Sequence, residues 1–337
     1  MGQHTIQEIL SQPEAWKSTL VKLESEPSRL QEIIRIVDTQ DLLLVGCGSS
    51  YYLSLTVASL YTQLTGIRAT GVPASEIITF PNSVFAKDSN KCLIAVSRSG
   101  KTPETREAAS YCKTRGGTVL AVSCTPRSPL LDVCTASIVT PSGSESSRYM
   151  TRSFTSMLLA LQYLTALRAN EASLQRELLE LPELGRQVIN RYGPRVEQLA
   201  TEGNFNQYVY LGQGQFYGLC CESMLKIKEM ACTPSEAFHT MEFMHGPKYA
   251  VNDRTLVTVL LSDSGRDREL DLLPKIKTLG SHVLMICERK IPQVSDSADL
   301  VFDLSSGLSE HARPLLVMLI TQLYAYYRAR AIGREIE

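Results

Sequence analysis

The chain has 337 residues, 44% hydrophobic and 20% charged, with a formal net charge of −1. That length suits two domains of roughly 150 residues, each able to bury its own core. Near-neutrality argues against a dedicated nucleic-acid or membrane-surface binder, which would carry a basic face, but it leaves room for a local anion site. No apolar run reaches the roughly 18 residues of a membrane span, and Met1-Gly2-Gln3-His4 lacks a charged-then-apolar leader, so the cytoplasm is the expected location. The nine cysteines show no CxxC spacing and several lie in apolar segments (Cys92, Cys124, Cys134, Cys287). They read as reduced thiols, with no metal site expected.

Residues 3–37 read as helical, divided at Pro13 and at the polar turn Glu24–Ser28. A buried strand is predicted over 41–45, an apolar helix over 49–64 ending before Gly66, and a strand over 68–72. Strand 91–97, helix 103–114, strands 119–122 and 136–140, and helix 153–168 follow. In 170–200, Pro182, Gly185 and Gly193-Pro194 are expected to cut the chain into short helices. The order then recurs: strand 207–211, helix 216–231, strand 256–261, helix 268–278, strands 282–287 and 299–303, and a closing helix 314–327. Residues 234–247 read as an irregular loop. The alternation predicts an α/β fold with parallel sheets flanked by helices, an αβα sandwich of flavodoxin-like type. The expected divisions are a lead-in over 1–36, a first domain over 37–170, a linker over 171–200 and a second domain over 201–337.

The recurrence extends to particular residues. Gly46-Cys47-Gly48 matches Gly212-Gln213-Gly214 at an offset of 166, and Ser97-Arg98-Ser99-Gly100 matches Ser262-Asp263-Ser264-Gly265 at 165. Lys113-Thr114-Arg115-Gly116 matches Lys277-Thr278-Leu279-Gly280 at 164. The chain therefore reads as two copies of one domain, and the differences between copies locate the chemistry.

In the first copy, Gly48-Ser49-Ser50 and Ser97-Arg98-Ser99-Gly100-Lys101-Thr102 each join a strand to a helix. Together they hold five hydroxyls and two cations and no carboxylate, a composition suited to a dianion at the carboxyl edge of a parallel sheet. Ordinary tight turns, where glycine and serine are common, are the other reading. Neither loop is GxxxxGK[ST] or GxGxxG with a downstream acid, so a nucleotide cofactor is not indicated. In the second copy Gln213 and Gln215 replace Cys47 and Ser49, and Asp263 stands at the place of Arg98. A carboxylate there repels phosphate, which assigns the retained ligand site to the first copy.

The second copy carries Glu222, Lys226 and Glu229 at i, i+4, i+7, on one helical face. A solvated ion-pair face is one reading. The other is an acid–base element, because the next segment brings two of the five histidines, His239 and His245, the latter in a His-Gly-Pro turn. A Glu229–His245 pair would supply proton transfer beside a sugar carbonyl.

These motifs resemble the sugar isomerase (SIS) family and, within it, the isomerase half of glucosamine-6-phosphate synthase. Gly46-Cys47-Gly48-Ser49-Ser50-Tyr51 is similar to G-C-G-T-S-Y, and Ser97 through Thr102 to S-Q-S-G-E-T. Gly143-Ser144-Glu145 with Thr151-Arg152-Ser153-Phe154-Thr155 resembles G-T-E with T-K-A-F-T. Glu222 through Glu229 resembles E-G-A-L-K-L-K-E, and Glu242 through Pro247 resembles E-L-K-H-G-P. The resemblance implies two tandem SIS domains. It implies that Ser50, Ser97, Ser99 and Thr102 bind a 6-phosphate, with Arg98 where glutamine is usual. Glu229 would be the base between C1 and C2, with Glu222 and Lys226 lining the pocket. His245 would open the sugar ring from a neighbouring subunit, implying a homodimer or tetramer. No cofactor is implied.

Several departures bear on the reaction. The chain starts at the isomerase half and stops at Arg334-Glu335-Ile336-Glu337, so neither glutaminase activity nor the lysine-bearing tail of the synthases is expected. Met150 replaces an expected serine, Arg148 and Tyr149 enlarge the same loop, and Pro234 stands where the synthases have histidine. The expectation is therefore a deglycase, deaminase or isomerase acting on a 6-phosphorylated fructosyl-amine or amino sugar. A non-catalytic phosphosugar-binding regulator and a simple aldose–ketose isomerase are the alternatives. No basic helical module precedes Asp41, and a regulator has no need of Glu229 and His245.

Overall fold

A computed structural model describes residues 3–38, 41–85, 92–289, 291 and 297–336. The lead-in forms α1 (Gln3–Leu10), α2 (Gln12–Ser25) and α3 (Pro27–Val37), with proline in the first turn of α2 and of α3, where its missing N–H costs nothing. The first copy follows as β1 (Asp41–Gly46), α4 (Ser49–Thr65), β2 (Arg68–Pro73), α5 (Ala74–Thr79), α6 (Pro81–Val84) and β3 (Cys92–Val96). It continues through α7 (Pro103–Thr114), β4 (Thr118–Ser123), α8 (Pro129–Val133), β5 (Ala136–Val139) and α9 (Arg152–Arg168). Lys91, where the sequence reading began a strand, lies outside the described residues. After α10 (Ala172–Glu202) come β6 (Gln207–Gly212) and α11 (Gln215–Lys226), which runs into a π-helical turn, Ile227–Ala231. Then follow β7 (Ser235–Phe238), β8 (Thr255–Leu260), α12 (Arg266–Leu270), α13 (Leu273–Lys277), β9 (His282–Cys287), β10 (Leu300–Asp303) and α14 (Pro314–Ala331).

Two five-stranded parallel sheets result, ordered β2-β1-β3-β4-β5 and β7-β6-β8-β9-β10. The order is the same in both and is that of the flavodoxin-like doubly wound fold, with a topological switch between β1 and β3 and between β6 and β8. Alternate strand residues serve opposite faces. Leu43, Val45, Leu93, Ala95, Val119 and Ala121 pack with Ala108, Ala109 and Cys112 of α7, while Val209, Leu211, Val257, Val259, Val283 and Met285 pack with Leu273 and Ile276 of α13. The long apolar helices α9 and α14 are buried on nearly every face, as their unbroken hydrophobic sequence requires.

Three local expectations need correction. The stretch read as short helices over 170–200 is one 31-residue helix from Ala172 to Glu202. Its buried stripe (Leu174, Leu178, Leu181, Val188, Tyr192, Val196 and Ala200) keeps helical spacing past Pro182 and Pro194. Burial along such a stripe outweighs the roughly 3 kcal/mol that an internal proline costs. Residues 235–238, read as loop, form β7, whose residues pair with β6 as Arg68 onward pairs with β1. A four-residue edge strand is too short for alternation to announce it. Finally, the predicted helix 268–278 is two short helices, because Pro274 starts a new first turn.

The chain divides into two compact units, Ser11–Pro182 and Met1–Leu10 with Glu183–Glu337. The division falls inside α10, and α1 belongs with the second sheet. Among the described residues no helix is long and apolar enough to cross a membrane.

Candidate functional site

In the first unit both candidate loops leave the carboxyl ends of the strands that flank the switch point, β1 and β3, where doubly wound sheets bind ligands. Gly48 adopts φ 53° and ψ −125°, and its counterpart Gly214 adopts φ 54° and ψ −129°, so the copies share a turn that only glycine takes without strain. At Gly46 a Cβ would lie 2.5 Å from the Ser50 backbone, which fixes how closely α4 follows β1. Ser49 and Ser50 are buried at the start of α4, and the Ser50 hydroxyl faces the Met150 sulfur at 4.0 Å. Burial pushes the pKa of Cys47, the cysteine between the glycines, up, partly offset by its contact with Thr105.

The second loop is organised by its own hydroxyls. Ser97 Oγ lies 3.2 Å from Thr102 Oγ1 and accepts the Gly100 amide at 3.1 Å, while Ser99 Oγ accepts the Lys101 amide at 3.2 Å. Among the described residues, the amides of Arg98 and Ser99 donate to no protein acceptor. Two adjacent amides and several short hydroxyls at a strand-to-helix turn form an anion cradle. Arg98 itself is not an unpaired cation. Its Nη1 donates to Glu145 Oε2 at 3.3 Å and to the Ser147 carbonyl at 3.2 Å.

Glu145, in the sequence one residue of the Gly143-Ser144-Glu145 motif, is a hub of hydrogen bonds. Its side chain is 0% exposed; Oε1 accepts the Thr151 amide at 2.6 Å, the Thr151 hydroxyl at 2.7 Å and the Ser153 amide at 3.1 Å, and Oε2 accepts the Ser153 hydroxyl. It joins the Arg98 loop to the N-terminus of α9, where a carboxylate is favoured by the helix dipole. Its donors are spread from 98 to 153, so no local pattern could reveal it.

In the second unit, Glu222, Lys226 and Glu229 do share one face. Lys226, 0% exposed, has its Nζ 3.2 Å from Glu222 Oε1 and 2.5 Å from Glu229 Oε2. Glu222 is equally buried, whereas the Glu229 side chain is 35% exposed. Burial alone would lower the Lys226 pKa, but the two carboxylates outweigh it and the net shift is upward. Glu229 sits on the π-helical turn, a deviation that often marks functional positions in helices. The turn ends at Cys232, whose φ of 50° lets the chain reverse into β7.

The two histidines after β7 differ. His239 stacks on Tyr217, with ring centroids 3.8 Å apart, and its Nδ1 lies 3.1 Å from Gln213 Oε1; burial lowers its pKa, with Glu242 opposing. His245 is exposed, directly before Gly246 at φ 131°, and no hydrogen bond or ion pair joins its ring to Glu229 among the described residues. Its neighbours along the chain, Met241 and Tyr249, are also exposed, Tyr249 to 81%.

Among known proteins, the SIS domain model matches this chain twice, over residues 35–167 and 204–329. The chain is 30% identical to the glutamine–fructose-6-phosphate aminotransferase (isomerizing) of Pyrobaculum aerophilum over 98% of its own length and 55% of that protein's. It thus spans about half the length of the curated relatives it matches. Among solved structures, glucosamine-6-phosphate deaminase from Thermotoga maritima superposes with a TM-score of 0.80 at 26% identity, covering 99% of this chain and 96% of that one. Tagatose-6-phosphate ketose/aldose isomerase from Escherichia coli superposes with a TM-score of 0.88 at 23% identity, covering 98% and 94%. With two matches that take in most of its residues, each on one of the two parallel sheets, the chain belongs to the SIS domain family.

Proposed function

We propose that this protein is a phosphosugar-processing enzyme that moves a proton between C1 and C2 of an opened 6-phosphosugar carrying nitrogen, and thereby releases an amine. The observation that carries this reading is Glu229, a partly exposed carboxylate fixed on a π-helical turn by a fully buried lysine. A base for this step needs a fixed position and access to substrate, and Glu229 has both. The 6-phosphate is bound by Ser50, Ser97, Ser99, Thr102 and the amides of Arg98 and Ser99, with Gly48 and Ser49 shaping the first loop. Support comes from the free amides of the second loop and from the T. maritima deaminase, whose stated substrate is an amino-sugar 6-phosphate.

In an open-chain fructosyl-amine, Glu229 takes a proton from C1, and the resulting enaminol is protonated at C2. The C1 imine so formed is hydrolysed by water to an aldose 6-phosphate and free amine. In a 2-amino sugar the proton leaves C2 and returns to C1, and hydrolysis of the C2 imine gives a ketose 6-phosphate and ammonia. His245, exposed and unpaired, opens the ring in the active site of a neighbouring chain within a homodimer or tetramer. Lys226 and Glu222 hold Glu229 in place, and the chemistry needs no metal or organic cofactor.

The test is a product screen. Fructosyl-amine, glucosyl-amine and amino-sugar 6-phosphates are incubated with the protein, and free amine and hexose 6-phosphate are assayed. Glu229→Gln should retain phosphosugar binding, seen as thermal stabilisation, and lose turnover by about 10²–10⁴-fold. Turnover by Glu229→Gln at the wild-type rate would overturn the assignment. Binding with no turnover of any candidate would favour the regulator, and interconversion without amine release would favour a simple aldose–ketose isomerase.

A further inference from the structure

The second domain repeats the candidate phosphate loop and fills it from within. The offset of 165 that aligns Ser262-Asp263-Ser264-Gly265 with Ser97-Arg98-Ser99-Gly100 also aligns Glu310 with Glu145. In the first domain Glu145 reaches the α9 N-terminus and the Arg98 side chain, and the amides of Arg98 and Ser99 are left without a protein acceptor. In the second domain the equivalent amides, those of Asp263 and Ser264, both donate to Glu310 Oε2, at 2.7 and 3.1 Å. The Ser264 hydroxyl donates to the other oxygen of the same carboxylate. The remaining amides of the turn are also used: Ser262 donates to Glu269 Oε2 at 2.9 Å, and Gly265 donates to Ser262 Oγ at 2.9 Å.

The surroundings favour a carboxylate there. Asp263, which would repel it, is paired with the buried Arg313 at 2.8 Å. Gln215, the counterpart of Ser49, donates from Nε2 to the Glu310 backbone carbonyl and holds the segment in place. Glu310 is itself 9% exposed. A carboxylate accepting two adjacent amides and a hydroxyl has the donor set that an oxyanion of phosphate would take.

We propose that Glu310 is an internal ligand, whose carboxylate occupies the oxyanion cradle at the second domain's switch point. The second loop is then a self-filled counterpart of the first, and the chain takes one phosphate dianion, not two. The stoichiometry rests on the reading of Ser97–Thr102 as a phosphate loop; the occupancy of the second cradle by Glu310 does not.

The probes are inorganic phosphate and sodium formate, with sodium chloride at matched ionic strength as the control. Wild-type protein should bind one phosphate per chain by calorimetry, and formate should leave its melting temperature unchanged. Glu310→Ala should melt lower, regain a substantial part of that loss in millimolar formate or phosphate but not in chloride, and bind a second phosphate. A second phosphate on the wild type, an unchanged melting temperature in Glu310→Ala, or a loss that formate and phosphate rescue no better than chloride would each overturn the proposal. Should Glu310→Ala fail to fold, Glu310→Gln keeps the side chain's size and removes its charge. The amide protons of Asp263 and Ser264 should then move upfield in NMR spectra, and unchanged shifts would overturn the assignment. If the wild type binds no phosphate at all, the phosphate reading of the first loop fails, while formate rescue of Glu310→Ala still reports on Glu310.

Discussion

Lys226 shows how a single spacing in the sequence becomes an electrostatic device. Glu222, Lys226 and Glu229 are legible as one helical face, but that the face is buried is not, because the same pattern serves solvated ion pairs. In the structure the ammonium is fully enclosed between its two carboxylates. A lysine pKa raised in the folded state adds stability that is complete below the ordinary lysine value and is lost only as pH rises through the higher folded value. Lys226 therefore stays charged through neutral and mildly alkaline pH. Lys226→Met leaves Glu222 buried without its cation, which should cost about 3–5 kcal/mol, measured by urea unfolding at pH 7. A loss below about 1 kcal/mol, the worth of an exposed pair, would show that the cluster is solvated. Glu145 and Glu310 mark the opposite limit of legibility. Each acts through partners on other loops, so only tertiary structure identifies them, although the 165-residue offset relates one to the other.

At the scale of elements, α10 is the instructive case. Pro182, Gly185 and Gly193-Pro194 predict breaks over 170–200, yet the helix is continuous, since its apolar stripe is buried throughout. Local propensity is a weak prior when tertiary burial runs the other way. Gly193 lies in this helix directly before Pro194, and beyond its chain neighbours and the helix's own backbone nothing comes within 4 Å of where a Cβ would sit. Gly193→Ala should accordingly stabilise the protein by less than the roughly 1 kcal/mol of the bare propensity difference, because a Cβ before Pro194 crowds the proline ring, read as a higher urea midpoint at unchanged slope; a lower midpoint would mean that this crowding outweighs the gain. The helix over 216–231 carried a subtler surprise. Periodicity predicts its span, but not the π-helical turn at Ile227–Ala231, which lies against α14. That turn decides where Glu229 stands.

For the whole molecule, the proposed sharing of His245 between chains gives a test that a single chain cannot imitate. Glu229→Gln and His245→Asn are each expected to be inactive. Mixed and allowed to exchange subunits, they should regain about a quarter of wild-type activity, because half of the dimers are mixed and one of the two sites in each is intact. No recovery after demonstrated exchange would place Glu229 and His245 of one chain in one site. By itself the sequence determined the duplication, the parallel α/β class, the two glycine turns and the residue types gathered at the first switch point. These are encoded in short-range periodicity and in glycines whose backbone angles no other residue takes without strain. Tertiary structure alone decided that β7 joins the second sheet, that Arg98 is held by Glu145, and that the second loop is closed by Glu310. Each of these depends on hydrogen bonds between segments far apart in the chain, where burial makes a satisfied polar group worth its place and an unsatisfied one costly.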